Sequence, residues 1–195
     1  MTTTTLTIIG VTGPKRHGKD TVGNYLVKHH GFTRLGFADP LKEACITIFG
    51  LSDEQVYGNA EKEVVDPYWG HSPRELLQKV GTELFRQRLP ELCDNIHDDI
   101  WIRSMDRRIK NLAAEGITKF VITDVRFENE CEYVKKSGGS MWRVIRDITT
   151  SNTDQHSSEL TIDALICDNF IDNNGTIGEL NSKVEDLMMF MRLNM

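Results

Sequence analysis

Gly13-Pro14-Lys15-Arg16-His17-Gly18-Lys19-Asp20-Thr21 lies between an apolar stretch, Leu6-Thr7-Ile8-Ile9-Gly10-Val11, and a segment carrying Val22, Tyr25, Leu26 and Val27. The apolar stretch predicts a buried strand, and the segment after the loop predicts a helix. Strand, glycine-rich loop and helix in that order is the setting that a phosphate-binding loop requires. Successive backbone N–H groups line a concave nest there, and the helix N-terminus adds partial positive charge, so phosphate oxygens settle in it. Lys19 would reach the β- and γ-phosphates of a nucleotide.

One position departs from the usual pattern. Such loops place Ser or Thr directly after the lysine, where the hydroxyl meets Mg²⁺, whereas here Asp20 holds that place and Thr21 follows. The carboxylate has three readings. It holds Mg²⁺ through water, it acts on the acceptor as a base or orienting group, or it is a first-turn residue favoured by the helix dipole.

Composition bounds the rest. With 195 residues, 39% of them hydrophobic, the chain suits one globular domain with a full core. A net charge of -6 argues against a general nucleic-acid binder. No apolar run approaches a membrane span, and Met1-Thr2-Thr3-Thr4 lacks a signal peptide's charged start, so a cytoplasmic protein is expected. Cys45, Cys93, Cys131 and Cys167 have no metal-ligand spacing and are expected to be reduced. The histidines form no zinc signature, and His29-His30 is expected at a solvated helix end.

Strand and helix patterns alternate, which predicts an α/β fold with a five-stranded parallel sheet covered on both faces. The second strand is expected over 32–37, followed by Ala38-Asp39-Pro40 and a helix through Phe49. Residues 51–71 read as irregular, with a short helix near Asp53. Ser72-Pro73-Arg74-Glu75 opens another helix, with serine as N-cap and proline in the first turn. At 100° per residue, Leu76, Leu77, Val80 and Leu84 share a core-facing stripe, while Arg74, Gln78 and Thr82 share a polar one that includes Gly81. A glycine inside a helix costs about 1 kcal/mol against alanine, so either a ligand or backbone comes close there, or another helix packs on it.

A long helix is expected over about 98–115, with Trp101, Met105, Ile109 and Leu112 as its stripe and Gly116 as its stop. Thr118 to Asp124 reads as a strand ending in a carboxylate. At the C-terminal end of a central parallel strand, Asp124 stands where ligands bind in open α/β sheets and where a metal-holding aspartate is needed. Capping the next helix is its alternative role. Strands over 140–146 and within 164–171 follow, and Thr176 with Glu179 forms a capping box for a last helix. The stripe Leu180, Val184, Leu187, Met188 and Met191 on that helix is core.

No Asn-Lys-x-Asp guanine motif occurs, and a compact chain with this loop fits a small-molecule kinase. Phosphoryl transfer needs positioning and cations around the moving charge. Arg16, Arg74, Arg126 and Arg146 fall at loops, a helix start and strand ends.

The string Lys15 to Thr21 resembles the loop of phage deoxynucleoside monophosphate kinases, whose pattern is close to Gly-x-Lys-Arg-Ser-Gly-Lys-Asp-Thr. Four further stretches match that family in order. They are Arg74 with Gln78-x-x-Gly81-Thr82, Asp124-x-Arg126 with Glu130, Asp154-x-His156-x-x-Glu159, and Asn173-x-Gly175 with Glu179-Leu180. The resemblance implies a P-loop NTPase fold of the nucleoside-monophosphate-kinase type. That fold is a three-layer α/β/α domain over residues 1–195, with an acceptor-binding helical region over about 39–115 and a lid over about 147–160. It implies a homodimer that phosphorylates deoxynucleoside monophosphates (dNMPs) with ATP and Mg²⁺. The chain is shorter than the T-even phage members, with the reduction before the Arg74 helix, so acceptor preference is expected to differ.

The resemblance also implies roles. Gly13, Lys15, Arg16, His17, Gly18, Lys19, Asp20 and Thr21 hold the ATP phosphates, and Asn173 and Gly175 flank the adenine. Asp20 and Asp124 organise Mg²⁺. Arg74, Arg126, Gln78, Gly81, Thr82 and Glu130 serve the acceptor, bordered by Asp39 and Lys42. Arg146 closes with the lid residues His156 and Glu159 over the phosphates. Two alternatives stand beside this. Animal phosphomevalonate kinases share the loop, the Asp-x-Arg segment and a lid of this kind, but their acceptor needs no base-recognising Arg74–Gln78–Thr82 face. A nucleotide-binding regulatory module would lack phosphoryl transfer altogether.

Overall fold

The computed structural model describes residues 5–58, 61–147 and 164–193. These form two compact units, one made of the described residues up to Gly36 and from Arg107 onward, the other of those from Phe37 to Asp106.

The first unit is built on a sheet of β1 (Thr7–Thr12), β2 (Thr33–Leu35), β3 (Lys119–Ile122), β4 (Ser140–Ile145) and β5 (Asn169–Asp172). All pairs are parallel and the order is β2-β3-β1-β4-β5. The first strand along the chain is thus the central one, as its uninterrupted apolar run requires, with Ile8, Ile9 and Val11 fully buried. β2 and β5 are shorter than the sequence pattern implies. Phe32 lies outside β2 but packs in the core, so apolar character marks core position here and not strand length.

Strand periodicity divides the side chains between two layers. Ile9, Val11, Val121, Trp142, Val144 and Ile171 pack with Val22 and Leu26 of α1 (Lys19–His30) and with Leu180, Val184 and Met188 of the C-terminal helix. On the opposite face, Met141 and Val134 come so close to Gly10 that a side chain there would meet both. Val134 belongs to a helix over Glu128–Lys136. Helices therefore cover both faces.

The second unit holds α2 (Asp39–Phe49), α3 (Asp53–Tyr57), a 3₁₀ turn over Glu61–Glu63, α4 (Pro73–Gln78) and α5 (Leu89–Leu92). Two capping boxes start α3 and α4, from Ser52 with Gln55 and from Ser72 with Glu75. Between α4 and α5 the chain runs as π-helix over Lys79–Arg88, and the Leu89 N–H reaches back to the Leu84 carbonyl. The wider π turn breaks the 100° spacing. Leu76 and Leu77 are buried as expected, but Leu84 is exposed and Phe85 packs on Trp101 in its stead. Gly81 is buried, its carbonyl accepts from the Trp101 indole at 3.2 Å, and a Cβ there would lie 2.5 Å from Leu41. Helix packing therefore accounts for this glycine.

α6 (Ile100–Ala114) runs from the second unit into the first, and α7 (Glu128–Lys136) and α8 (Ile177–Leu193) complete the chain. No described helix is long and apolar enough to cross a membrane. All four cysteines are free, and burial pushes the Cys45 thiol up to about 11.

His29 and His30 part company. His29 is exposed and stacks on Tyr25, whereas His30 is 7% exposed. Its Nε2 lies 2.8 Å from Glu185, and its Nδ1 accepts from Arg192 at 3.1 Å. The solvated helix end expected for the pair applies to His29 alone. Burial would raise the Glu185 carboxyl, but the hydrogen bonds from His30 and the Tyr25 hydroxyl, with the Arg192 charge, hold it below its ordinary value.

Candidate active site

The loop between β1 and α1 is shaped by two left-handed glycines. Gly13 has φ +141° and Gly18 φ +101°. A side chain at Gly13 would strike the Val144 carbonyl, and one at Gly18 would strike the Asn173 amide. Arg16, exposed at the tip, also adopts left-handed backbone at φ +69°. The loop thus curls tightly over the end of the central strand. Lys19 folds back across it, its ammonium donating to the carbonyls of Gly13 (2.7 Å) and Pro14 (2.8 Å). Lys15 is exposed and Thr21 half-buried.

Three neighbours brace the loop. The Asn173 side chain donates to the His17 carbonyl at 2.9 Å, and the Arg146 N–H donates to His17 Nδ1 at 3.0 Å. Thr12 Oγ1 donates to the Val125 carbonyl at 2.8 Å. Asn173 is itself buried, and its N–H donates to the Ile145 carbonyl at 2.7 Å. Its position makes it a strut under the loop, a task that the sequence reading, which gave it to the adenine, did not foresee. Gly175 lies against the Glu179 carboxylate, which caps α8 by accepting from Thr176 N–H at 2.7 Å. That backbone bond, with the Thr176 hydroxyl, lowers the Glu179 pKa.

Asp124 follows β3. The register Gly10↔Ile122 carries it to the sheet end where the loop begins. Arg126 is half-buried two residues on, and its N–H and that of Phe127 donate to Glu130 Oε2 at 2.9 and 3.2 Å. Glu130 is 2% exposed, so it braces the Arg126 backbone from below. This backbone brace is a task that the acceptor role implied by the resemblance does not include. Arg146 is exposed at the end of β4. His156 and Glu159 lie outside the described residues.

Asp20 is the departure the loop pattern singled out, and its partner is one that sequence reasoning missed. Arg34 of β2 reaches its carboxylate at 2.5 Å. The same guanidinium donates to Thr123 Oγ1 and Asn24 Oδ1, both at 3.1 Å. The only signal was a charged residue inside the Thr-Arg-Leu strand pattern.

In the second unit, Arg74 pairs with Glu63 at 2.5 Å, and Ser72 N–H donates to Glu75 at 2.8 Å, which lowers the Glu75 pKa. Gln78 is half-buried and Thr82 exposed. Lys42 lies 3.9 Å from Asp39 and over the Tyr57 ring.

Comparison with known proteins fixes the family. The sequence profile described as deoxynucleotide monophosphate kinase matches residues 56–184. A protein of Acanthamoeba polyphaga mimivirus, provisionally named a deoxynucleotide monophosphate kinase, is 40% identical over 92% of this chain and 94% of its own. The chain belongs to the deoxynucleotide monophosphate kinase family. The deoxynucleotide monophosphate kinase of Escherichia phage RB69 is 28% identical over 60% of this chain and 45% of that protein. Among solved structures, the dephospho-CoA kinase of Campylobacter jejuni matches 97% of this chain and 100% of its own, with a TM-score of 0.54 at 14% identity. At that identity the likeness speaks for the fold alone.

Among the described residues of this deoxynucleotide monophosphate kinase family member, no group of three or more His, Cys, Asp or Glu side chains is placed to hold a metal. The two carboxylates expected at the metal, Asp20 and Asp124, are hard oxygen donors and too few for a closed site. That set fits Mg²⁺, which is held by one or two carboxylates together with substrate phosphates.

Proposed function

We propose that this chain is an ATP-dependent deoxynucleoside monophosphate kinase, converting dNMPs to the diphosphates used in DNA precursor synthesis. The observation that carries it is the Gly13–Gly18 loop, with Lys19 folded over it, in a member of this family. An acceptor phosphate oxygen attacks the γ-phosphorus of ATP, the bond from that phosphorus to the β–γ bridging oxygen breaks, and ADP leaves.

Lys19 exchanges the carbonyls of Gly13 and Pro14 for phosphate oxygens, and the loop N–H groups bind the rest. Arg16 and Arg146 neutralise charge on the transferring group. Arg126, held by Glu130 through its backbone, and Arg74 take the acceptor phosphate, while Gln78 and Thr82 meet the acceptor nucleotide. A side-chain amide both donates and accepts, which suits several bases. For Arg74 this means leaving Glu63, a partly exposed pair of small cost to open. Asp20 and Asp124 would hold Mg²⁺, which neutralises phosphate charge when bound. The lid residues His156 and Glu159 exclude water. Pairing of two copies, a host-cytoplasm location and the absence of nucleic-acid partners are inferred from the family likeness and the acidic composition.

Neither alternative gains an observation. The test is to incubate the protein with Mg²⁺-ATP and a panel of dNMPs, ribonucleotides and phosphomevalonate, following diphosphate formation. Turnover of dNMPs bears the proposal out, turnover of phosphomevalonate alone replaces it, and ATP binding without turnover points to a regulatory module.

A further inference from the structure

We propose that Arg34 is a positioning residue of the ATP site, which neutralises and orients Asp20 so that the loop tolerates a carboxylate beside the phosphates. The inference rests on the reading of the Gly13–Thr21 loop as the ATP-phosphate site.

Electrostatics sets the problem. Asp20 is the residue after Lys19, in the first turn of α1, where the backbone N–H groups and the helix dipole attract anions. In the common loop pattern a neutral hydroxyl stands there. A carboxylate at that place repels the polyphosphate that the loop is built to bind, unless a cation offsets it.

Arg34 is fixed to do so. Its fork spends a separate nitrogen on each of three acceptors, Nε on Thr123 Oγ1, Nη1 on Asn24 Oδ1 and Nη2 on Asp20 Oδ1. Those acceptors come from β3's end and from two positions on α1. Thr123 is buried, and its N–H donates to the Leu35 carbonyl at 3.3 Å, so β2 and β3 are joined at the residues flanking the fork. Gly23 lets α1 come in close, since a Cβ there would lie 2.5 Å from Thr123 Cγ2. A rigid planar donor held at three points sets where the Asp20 carboxylate stands, which a lysine cannot do.

Stability does not account for the arrangement. The Asp20 side chain is 73% exposed and that of Arg34 40% exposed, and ion pairs so open to solvent add little to folding. Neutralising a charge next to bound phosphate matters far more.

The test is a double-mutant cycle read by metal-free ATP binding in calorimetry with EDTA, where the role of Asp20 toward Mg²⁺ plays no part, on folded proteins checked by circular dichroism. Arg34→Gln is expected to weaken metal-free ATP binding about tenfold. Adding Asp20→Asn to it should restore affinity to within about twofold of wild type, while Asp20→Asn alone should tighten metal-free binding. Arg34→Lys should lose less than Arg34→Gln, because it keeps the charge. Wild-type affinity in folded Arg34→Gln, or no rescue by Asp20→Asn, overturns the inference. If Arg34→Gln does not fold, the Asp20→Asn and Arg34→Lys arms decide it by the same signs. Failure of the wild-type protein to bind ATP at all would instead remove the ATP-site reading on which the inference rests.

Discussion

The side-chain amide of Asn173, at the end of β5, donates to the backbone carbonyl of His17, in the middle of the glycine loop, at 2.9 Å. The loop is therefore held from the far side of β4 as well as by its own glycines. Replacing Asn173 with Ala frees a carbonyl and empties a buried place, and should lower kcat/KM for ATP roughly tenfold, the equivalent of one lost hydrogen bond of about 1–2 kcal/mol. Asn173→Asp should be worse, because it turns an acceptor toward an acceptor. Steady-state kinetics with varied ATP checks both, and equal activity of the two variants would contradict the strut.

His30 and its neighbour give a stability contrast. His30→Ala leaves Glu185 and Arg192 without their shared partner and should cost about 1–3 kcal/mol. His29→Ala, at an exposed position, should stay within about 0.5 kcal/mol. Urea unfolding of the two variants tests this, and equal midpoints would refute it.

Acid should act through the helix caps. The Glu75 and Glu179 carboxyls are lowered in the folded chain by the backbone N–H bonds of Ser72 and Thr176. A lowered folded pKa means that the caps contribute in full above the unfolded value of about 4.3. The contribution is lost as pH falls through the folded value. Melting temperature is then expected to be insensitive to these two groups above about pH 5 and to fall below about pH 4.3. Glu179→Gln, which still accepts a hydrogen bond, should show a shallower acid slope. An unchanged slope would show that the cap carries no linkage.

Much of this architecture was legible because it is local. The apolar run over 6–11, the glycines at 13 and 18 and Lys19 specify strand, loop and helix within a dozen residues. Ser72 with Glu75, and Thr176 with Glu179, announce their caps over three. The features that were missed depend on register between distant elements. Asp20 meets Arg34 only once α1 is laid beside β2 and β3, and Asn173 meets His17 only once β5 is placed two strands from β1. His30 is buried because α8 covers it. Leu84 misleads for a different reason, since the π turn from Lys79 alters the period that placed it on the core stripe. Glu130 resembled an acceptor contact by family pattern, and its backbone bonds to Arg126 and Phe127 became visible only in three dimensions.

The central claim is phosphoryl transfer from ATP to a dNMP at the Lys19 loop. The most direct measurement follows γ-labelled phosphate from Mg²⁺-ATP into a dNMP, comparing wild type with a folded Lys19→Ala variant. The account predicts labelled dNDP with the wild type and a loss of roughly 100-fold or more with the variant. Labelled dNDP formed equally by both proteins, or none formed from any dNMP by the wild type, would contradict it.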